Sequence, residues 1–371
     1  MNNFDFIVVG AGIAGASVAA QLAAKAQVAL LEMEERPGYH TTGRSAAAYE
    51  PNYGPRPLLA LSRAGIGFFK APPPDFSETP VFTQRGSLVI EAKGQENAAQ
   101  SFLSADSKLQ VMSEAEMLAL YPILRRGYAN RGFYDDGTGD LDVGLLHQGF
   151  LKWFKKRGGR LACNAGAQAI TKAGKLWQVS TPQGTFTAPV VINASGAWGD
   201  KVAAMAGVAP IGLTPKRRSM AVVAGPQGSD FMAWPFVVDC EESWYSKPQS
   251  GKLLVSSADA TPVEPHDAYA DDEAIAVGID RFMTATTLEV TRVEHTWGGL
   301  RSFAPDKFPV CGFDPTAEGF FWLVGQGGNG IQSSDGLSRL AAALAQHEAP
   351  PADIMAQGLI LADVLPERFR T

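Results

Sequence analysis

The sequence predicts an α/β fold in which one domain is assembled from separated segments and a second domain is inserted between them. Three observations carry this. Two four-residue apolar runs, Phe6–Val9 and Val28–Leu31, flank a glycine-rich turn and an alanine-rich stretch, which together make a βαβ unit of about 30 residues. The order strand, glycine turn, helix returns near the end of the chain, at Phe320–Val324, 325–330 and 337–347. The 371 residues suffice for two domains at roughly 100–200 residues each.

The elements follow in order. Phe6–Val9 is wholly apolar and ends at a glycine, as a strand buried on both faces does. Gly10 to Gly15 then opens a helix that runs to about residue 25, and Glu32 closes the second strand. Residues 36–57 are rich in Gly, Thr, Ser and Pro and carry Tyr39, Tyr49 and Tyr53; 71–74 (APPP) is a stiff break. A strand is expected over 83–90 and a helix over 113–120, where Ser113 and Glu116 have capping-box spacing. Val143–Lys156 reads as an amphipathic helix whose basic end, through Arg157, suits a helix C-terminus. Further strands are expected at 189–193, 220–224, Lys252–Ser256 and Phe320–Val324. No internal repeat stands out.

Composition excludes several classes. Hydrophobic residues make up 46% and charged residues 19%, enough apolar content to rule out wholesale disorder. The net charge of −6 argues against a protein that coats nucleic acid, since phosphate binding needs a basic face. Cys163, Cys240 and Cys311 form neither a disulfide framework nor a zinc pattern, which fits a reducing compartment and no metal site. The stretch 6–24 has no charge and is long enough to span a membrane. Its three glycines, serine, glutamine and many alanines, with no Lys or Arg ahead of it, argue against both a span and an export signal.

Gly10-x-Gly12-x-x-Gly15 carries chemistry because of its context. Gly10 permits a tight turn, Gly12 lets backbone N–H groups approach a pyrophosphate, and Gly15 lets helix and strand pack closely. The helix N-terminus favours the diphosphate charge. Glu32, twenty-two residues after Gly10, can accept hydrogen bonds from both ribose hydroxyls and would repel a 2′-phosphate. This predicts an adenine dinucleotide site, with FAD and NAD both open. A second match, Gly325-x-Gly327-x-x-Gly330, has no acidic strand end beyond it. It reads as a strand–loop–helix whose helix N-terminus, near 328–332, would face a developing negative charge such as that of a reduced flavin ring.

The motifs GAGIAG (10–15), Glu32, PGYHTTGRSA (37–46), NASGAW (193–198), PKRRS (215–219), GLRSF (299–303) and GQGGNGIQ (325–332) occur in that order. Together they resemble the D-amino acid oxidase family of flavoproteins, and the resemblance runs essentially from end to end. It implies non-covalent FAD; Cys311 does not match the cysteine that carries flavin in covalently loaded members. By the resemblance, Gly10, Gly12, Ile13, Ala14, Gly15 and Glu32 bind the ADP half. Thr42, Gly43, Arg44, Ser45 and Ala46 lie along the pyrophosphate and flavin. The Ala167 backbone meets the adenine, and Gly196 and Trp198 form a second phosphate-side motif. Gly328, Gly330, Ile331 and Gln332 form the flavin-ring loop, with Gly328 and Gln332 also facing substrate. The implied fold is a discontinuous FAD-binding Rossmann-like domain (1–49, 139–212, 298–371) with a substrate domain (50–138, 213–297) on a mixed, largely antiparallel sheet.

The same resemblance makes Arg218 and Arg301 the clamp for a substrate carboxylate, a task suited to bidentate guanidinium pairing. Tyr53 and Tyr245 cover the site and hydrogen-bond that carboxylate. The implied reaction is oxidative deamination of a D-amino acid to a 2-oxo acid and ammonia, by hydride transfer from Cα to flavin N5. Oxidation of secondary amines, such as N-methyl or cyclic imino acids, is the alternative, and a flavin module of a tRNA-modifying protein a more remote one. Partners would be a small amino acid and an electron acceptor, quinone-like or oxygen. The chain would be a monomer, cytoplasmic or peripheral to the membrane for electron transfer. Family members that oxidise D-arginine hold its guanidinium with a glutamate where this chain has Ser87. They have a histidine at the position of Ala48 and a threonine at that of Glu50. Glu50 then either replaces the lost carboxylate from another direction, or is a solvated loop acid, or Ser87 and Ala48 open a roomier pocket for neutral side chains.

Overall fold

The computed structural model describes residues 2–103 and 108–370. Among these, the first βαβ unit forms as the apolar runs require. The strands Phe6–Val9 and Val28–Leu31 lie side by side and parallel, joined by the helix Ile13–Leu22. They sit in a six-stranded sheet ordered Arg160–Ala162, Val28–Leu31, Phe6–Val9, Val190–Asn193, Phe320–Val324, Val310–Phe313. Neighbours are parallel except for the last pair.

Both faces of this sheet are buried, and the alternation of side chains shows it. Val8, Leu30, Ile192 and Phe321 enter one core with the helices Ile13–Leu22, Val143–Lys156 and Ser334–Ala345. Ile7, Leu31, Val191 and Trp322 enter another, closed by Trp177, Val179 and Phe186 of a small, mostly antiparallel sheet built on Ala169–Ala173, Leu176–Thr181 and Gly184–Ala188. A period of two with both sets apolar leaves no polar face, which is why the strands read as unbroken hydrophobic runs.

The second layer is a ten-stranded sheet, antiparallel except where Phe236–Asp239 runs parallel to Ser87–Ala92. Its centre is Val293–Phe303, Thr214–Ala224, Lys252–Ser256 and Tyr245–Gln249. The helix Asp272–Ala285 covers one face, over Leu88, Val237, Trp244, Leu253 and Val255. The other face points to the first sheet. The α/β fold with parallel and antiparallel sheets is therefore as the sequence predicts.

Several expectations need correction. The strand expected at 83–90 is two strands, Phe82–Gln84 and Ser87–Ala92, belonging to different sheets. Gly86 turns between them at φ +84°, a conformation that non-glycine residues rarely hold. The strand expected at 220–224 begins at Thr214, so Arg217 and Arg218 lie within it. The last long helix is Ser334–Ala345, which leaves 328–332 in the turn before it and not at its N-terminus. The helices Arg56–Lys70 and Asp272–Ala285 escape the sequence reading. The uncharged stretch 6–24 divides into a strand and a ten-residue helix, and no described helix is long and apolar enough to cross a membrane.

Candidate active site

A cavity of about 1130 Å³ lies between the C-terminal ends of the parallel strands and the facing side of the ten-stranded sheet. In open α/β sheets this is where ligands bind, at the point where strand order reverses. Single ligand pockets run to roughly 1,000 Å³, so the space suits a dinucleotide with a second small molecule beside it.

At the sheet end the glycine turn is shaped by close approaches. Gly10 has φ +100°, and a Cβ there would sit 2.6 Å from the Ala194 carbonyl oxygen. A Cβ on Gly15 would lie 1.8 Å from the Gly10 carbonyl oxygen, so helix and strand touch backbone to backbone. Gly12 faces the cavity, and its Cβ would meet only Thr42 Oγ1, at 3.2 Å. The Ile13 N–H donates to Thr42 Oγ1 (2.9 Å) and the Ala11 N–H to Glu32 Oε2 (3.0 Å). The Gly12 and Ala14 N–H groups have no protein acceptor among the described residues, although both residues line the cavity. Free amides at a helix N-terminus are what a diphosphate requires. Glu32 Oε1 also accepts from the Glu34 N–H (3.0 Å). Burial pushes the Glu32 carboxyl up, and these amides pull the other way. The chemistry of this end fits an adenine dinucleotide.

Ile13, Ala14, Thr42, Ser45, Ala46, Ala167, Gly196, Trp198, Gly328, Gly330, Ile331 and Gln332 also line the cavity. Three expected cofactor residues stand differently. Gly15 lies behind the turn, where it allows packing and touches no ligand space. Gly43 is exposed and off the cavity wall, its N–H donating to the Gly38 carbonyl (2.8 Å). Arg44 reaches the wall, but its guanidinium is engaged by Asp267 and by the carbonyls of Ala268 (2.5 Å) and Gly298 (3.3 Å).

At the other end, Arg218 and Arg301 come from adjacent antiparallel strands. Arg218 is directly opposite Gly299, so Arg301 is its diagonal neighbour on the same face, and Gly328 packs against the Arg301 guanidinium, where a Cβ would sit 3.0 Å from Cζ. Arg218 Nε donates to the Asp259 carbonyl (2.8 Å) and its guanidinium stands 5.6 Å from the Tyr245 ring centre. Neither arginine meets a carboxylate within ion-pair distance among the described residues. Burial lowers the Arg301 pKa first and the charge of Arg218 next, while Glu50 acts the other way. Two cations thus share a cavity wall with no carboxylate at ion-pair distance from either among the described residues, Glu50 acting on Arg301 only from further off.

Tyr245 donates from its hydroxyl to Met220 Sδ (3.0 Å), a weak acceptor, and Tyr53 donates to Glu242 Oε2 (2.8 Å). Ser87 is buried and shares a hydrogen bond with Thr138 Oγ1 (3.0 Å). Ala48 lies on the same cavity, in the short strand Ala48–Tyr49. Glu50 is half-buried at the wall, not a solvated loop acid. Its N–H donates to Gln332 Oε1 (2.7 Å), but no hydrogen bond or ion pair reaches its carboxylate among the described residues. Burial first, then the charges of Glu242 and Asp135, push this carboxyl up to about 7, against the pull of Arg301 and Lys247. Sequence reasoning missed Asp135, at the end of the strand Ala129–Asp135, Met220, within Thr214–Ala224, and Glu242, in a turn, which line the cavity with no motif of their own.

A family model described as FAD dependent oxidoreductase matches residues 5–344. The chain is similar to the mitochondrial sarcosine dehydrogenase of Mus musculus, 26% identical over 73% of this chain and 31% of that protein, so it spans about a third of that relative's length. The glycine oxidase of Geobacillus kaustophilus superposes with a TM-score of 0.81 at 21% identity, over 94% of this chain and 96% of that one. The L-proline dehydrogenase from P. horikoshii superposes with a TM-score of 0.81 at 17% identity, over 95% and 96%.

Proposed function

The chain belongs to the DAO family of FAD-dependent oxidoreductases, and from that premise we propose that it oxidises the carbon–nitrogen bond of an amino acid held by its carboxylate. The observation that carries this is the pair Arg218 and Arg301, two cations on one cavity wall with no carboxylate at ion-pair distance among the described residues. A substrate carboxylate supplies the missing anion, and planar guanidinia take it in two-pronged fashion, which fixes the direction of Cα.

In this reading Gly10, Gly12, Ile13, Ala14, Glu32, Thr42 and Ala167 hold the ADP half of non-covalent FAD. Ser45, Ala46, Gly196, Trp198 and the 328–332 turn hold the rest. The segments 1–49, 139–212 and 298–371 form the cofactor side of this reading, with 298–303 continuing the strand Val293–Phe303 of the ten-stranded sheet. When bound, FAD supplies a two-electron acceptor for the hydride that leaves Cα. The residues of this chain do the positioning, which is worth much of the rate in such reactions. Arg218 and Arg301 fix the carboxylate, Tyr245 and Tyr53 cover it, and Gln332 holds the Glu50 backbone. The substrate loses a hydride from Cα and a proton from nitrogen, and water converts the imine to a 2-oxo acid and ammonia.

D-Amino acids are the first class in this reading, as the resemblance implies. A preference for D-arginine lacks its glutamate, because Ser87 stands there bonded to Thr138. Oxidation of secondary amines is the second reading, favoured by the relatives named for sarcosine and L-proline. The electron acceptor, oxygen or quinone-like, belongs to the same proposal. The test is anaerobic mixing of the yellow protein with D- and L-amino acids, sarcosine and proline, following loss of the long-wavelength flavin band. Bleaching by D-amino acids alone supports the first reading and bleaching by sarcosine or proline alone the second. Bleaching by none of them rejects both.

A further inference from the structure

Lys247 is buried, with only 4% of its surface exposed. Lysines are almost never buried without partners, and this one uses all three of its donors. Its Nζ lies 2.8 Å from Asp140 Oδ1 and donates to the carbonyls of Ala46 (3.2 Å) and Ala47 (3.1 Å). Asp140 sits directly opposite Ala48 in the three-stranded sheet. Its other oxygen accepts from Arg85 Nε (2.7 Å), and Arg85 NH1 donates onward to the carbonyls of Met232 (2.9 Å) and Trp234 (2.7 Å). A chain of half-buried Arg85 and Asp140 and buried Lys247 therefore ties segment 46–48 to the ten-stranded sheet, while Ala46, Ala47 and Ala48 themselves line the cavity.

The placement of Lys247 links two walls. It is two residues from Tyr245 in the strand Tyr245–Gln249, and residues two apart in a strand share a face. One strand thus presents a tyrosine to the cavity and grips the backbone of the adjoining 46–48 wall, where Ala46 packs against the Tyr245 cluster. We propose that Lys247, braced by Asp140, is a positioning residue that sets the spacing between the 45–50 wall and the arginine-bearing sheet. The catalytic consequence of that spacing rests on the proposed function; the spacing itself does not. Removing the ammonium leaves the Ala46 carbonyl without a donor, the Ala47 carbonyl with only the long contact from the Leu141 N–H (3.5 Å), and Asp140 with Arg85 alone, so the segment loosens where it meets substrate. It also removes a positive charge that holds the Glu50 carboxyl down.

The test compares FAD-loaded wild type, Lys247→Gln and Lys247→Arg by hydrogen–deuterium exchange and by steady-state kinetics. For Lys247→Gln, amides of 45–50 should exchange about ten-fold faster while Phe6–Val9 and Val190–Asn193 keep their protection. KM should rise about ten-fold with kcat within about three-fold, the pattern of lost substrate positioning. Lys247→Arg should recover part of each effect. Unchanged exchange at 45–50 would overturn the proposal, as would protection lost equally throughout the chain. If Lys247→Gln does not fold, Asp140→Asn keeps the shape without the charge. It should give the same segment-limited change, and wild-type exchange in it is equally decisive. If no amino acid proves to be a substrate, the kinetic readout disappears but the exchange readout still decides the inference.

Discussion

Arg301→Met isolates the claim that an anion is missing from the cavity. Arg301 has no carboxylate partner among the described residues, and both burial and Arg218 oppose its charge. Removing it therefore relieves an unfavourable arrangement in the free protein, and the melting temperature should stay level or rise. Binding should behave in the opposite way. Losing one member of a desolvated, hydrogen-bonded charge pair costs about 2–5 kcal/mol. Because this cavity is open to solvent and Arg218 remains, about 2–4 kcal/mol is the appropriate range, or ~30- to 1,000-fold in affinity. The loss should fall mainly on KM, since the carboxylate is held equally before and during hydride loss. Arg301→Lys should fall between, keeping the charge but not the planar fork. The assay is anaerobic flavin reduction across a concentration series of the best amino acid substrate, with thermal melts alongside. Substrate affinity within about three-fold of wild type in both Arg301→Met and Arg218→Met would refute the reasoning, because a residual clamp cannot explain both.

Glu50→Gln tests the cavity acid through pH. The carboxyl stands near 7 in the folded protein against 4.5 in the free chain, so folding favours its protonated form. That contribution is complete below about pH 4.5 and is lost as pH rises through about 7, at most ~3 kcal/mol and less for a group facing open space. The variant should therefore gain stability over wild type between pH 5 and pH 8, and parallel melting curves would contradict this. Gly15→Ala and Gly12→Ala separate packing from ligand contact. The first forces a Cβ to within 1.8 Å of the Gly10 oxygen and should abolish soluble yellow protein. The second should fold and bind FAD about ten-fold more weakly, because it narrows only the approach to the diphosphate. Equal flavin content in the two variants would count against the assignment. Tyr245→Phe removes a hydroxyl whose protein partner is only a thioether, so melting should shift by less than about 0.5 kcal/mol-equivalent. KM should rise about three- to ten-fold, and an unchanged KM would remove Tyr245 from the substrate wall.

The parts of the fold legible in the sequence are those where one physical demand dominates. Phe6–Val9, Val28–Leu31, Lys252–Ser256 and Val143–Lys156 occur as read, because complete burial or a single apolar stripe leaves little choice of register or length. The break at Gly86 was hidden because the flanking residues share strand character, and only the backbone conformation separates them. The helix Arg56–Lys70 carried a signal in Leu58, Leu61, Gly65 and Phe69 on one face after Pro57, but it begins inside a glycine- and proline-rich stretch that reads as loop. At the candidate site, the glycine turn and the arginine pair could be seen because their motifs are contiguous. Glu242 and Asp135 meet Glu50 only through pairing of strands distant in the chain. Lys247 has no motif in the sequence, and only its carbonyl and carboxylate partners single it out.

The central claim is that this flavoprotein oxidises amines anchored by a carboxylate on Arg218 and Arg301. The most direct measurement pairs each amino acid that bleaches the flavin anaerobically with its decarboxylated amine, at equal concentration and pH. The account predicts reduction by the amino acid and at least a hundred-fold slower reduction by the amine, about 2.7 kcal/mol of lost anchoring. Comparable rates for the two members of each pair would contradict it and leave the arginine pair without its proposed role.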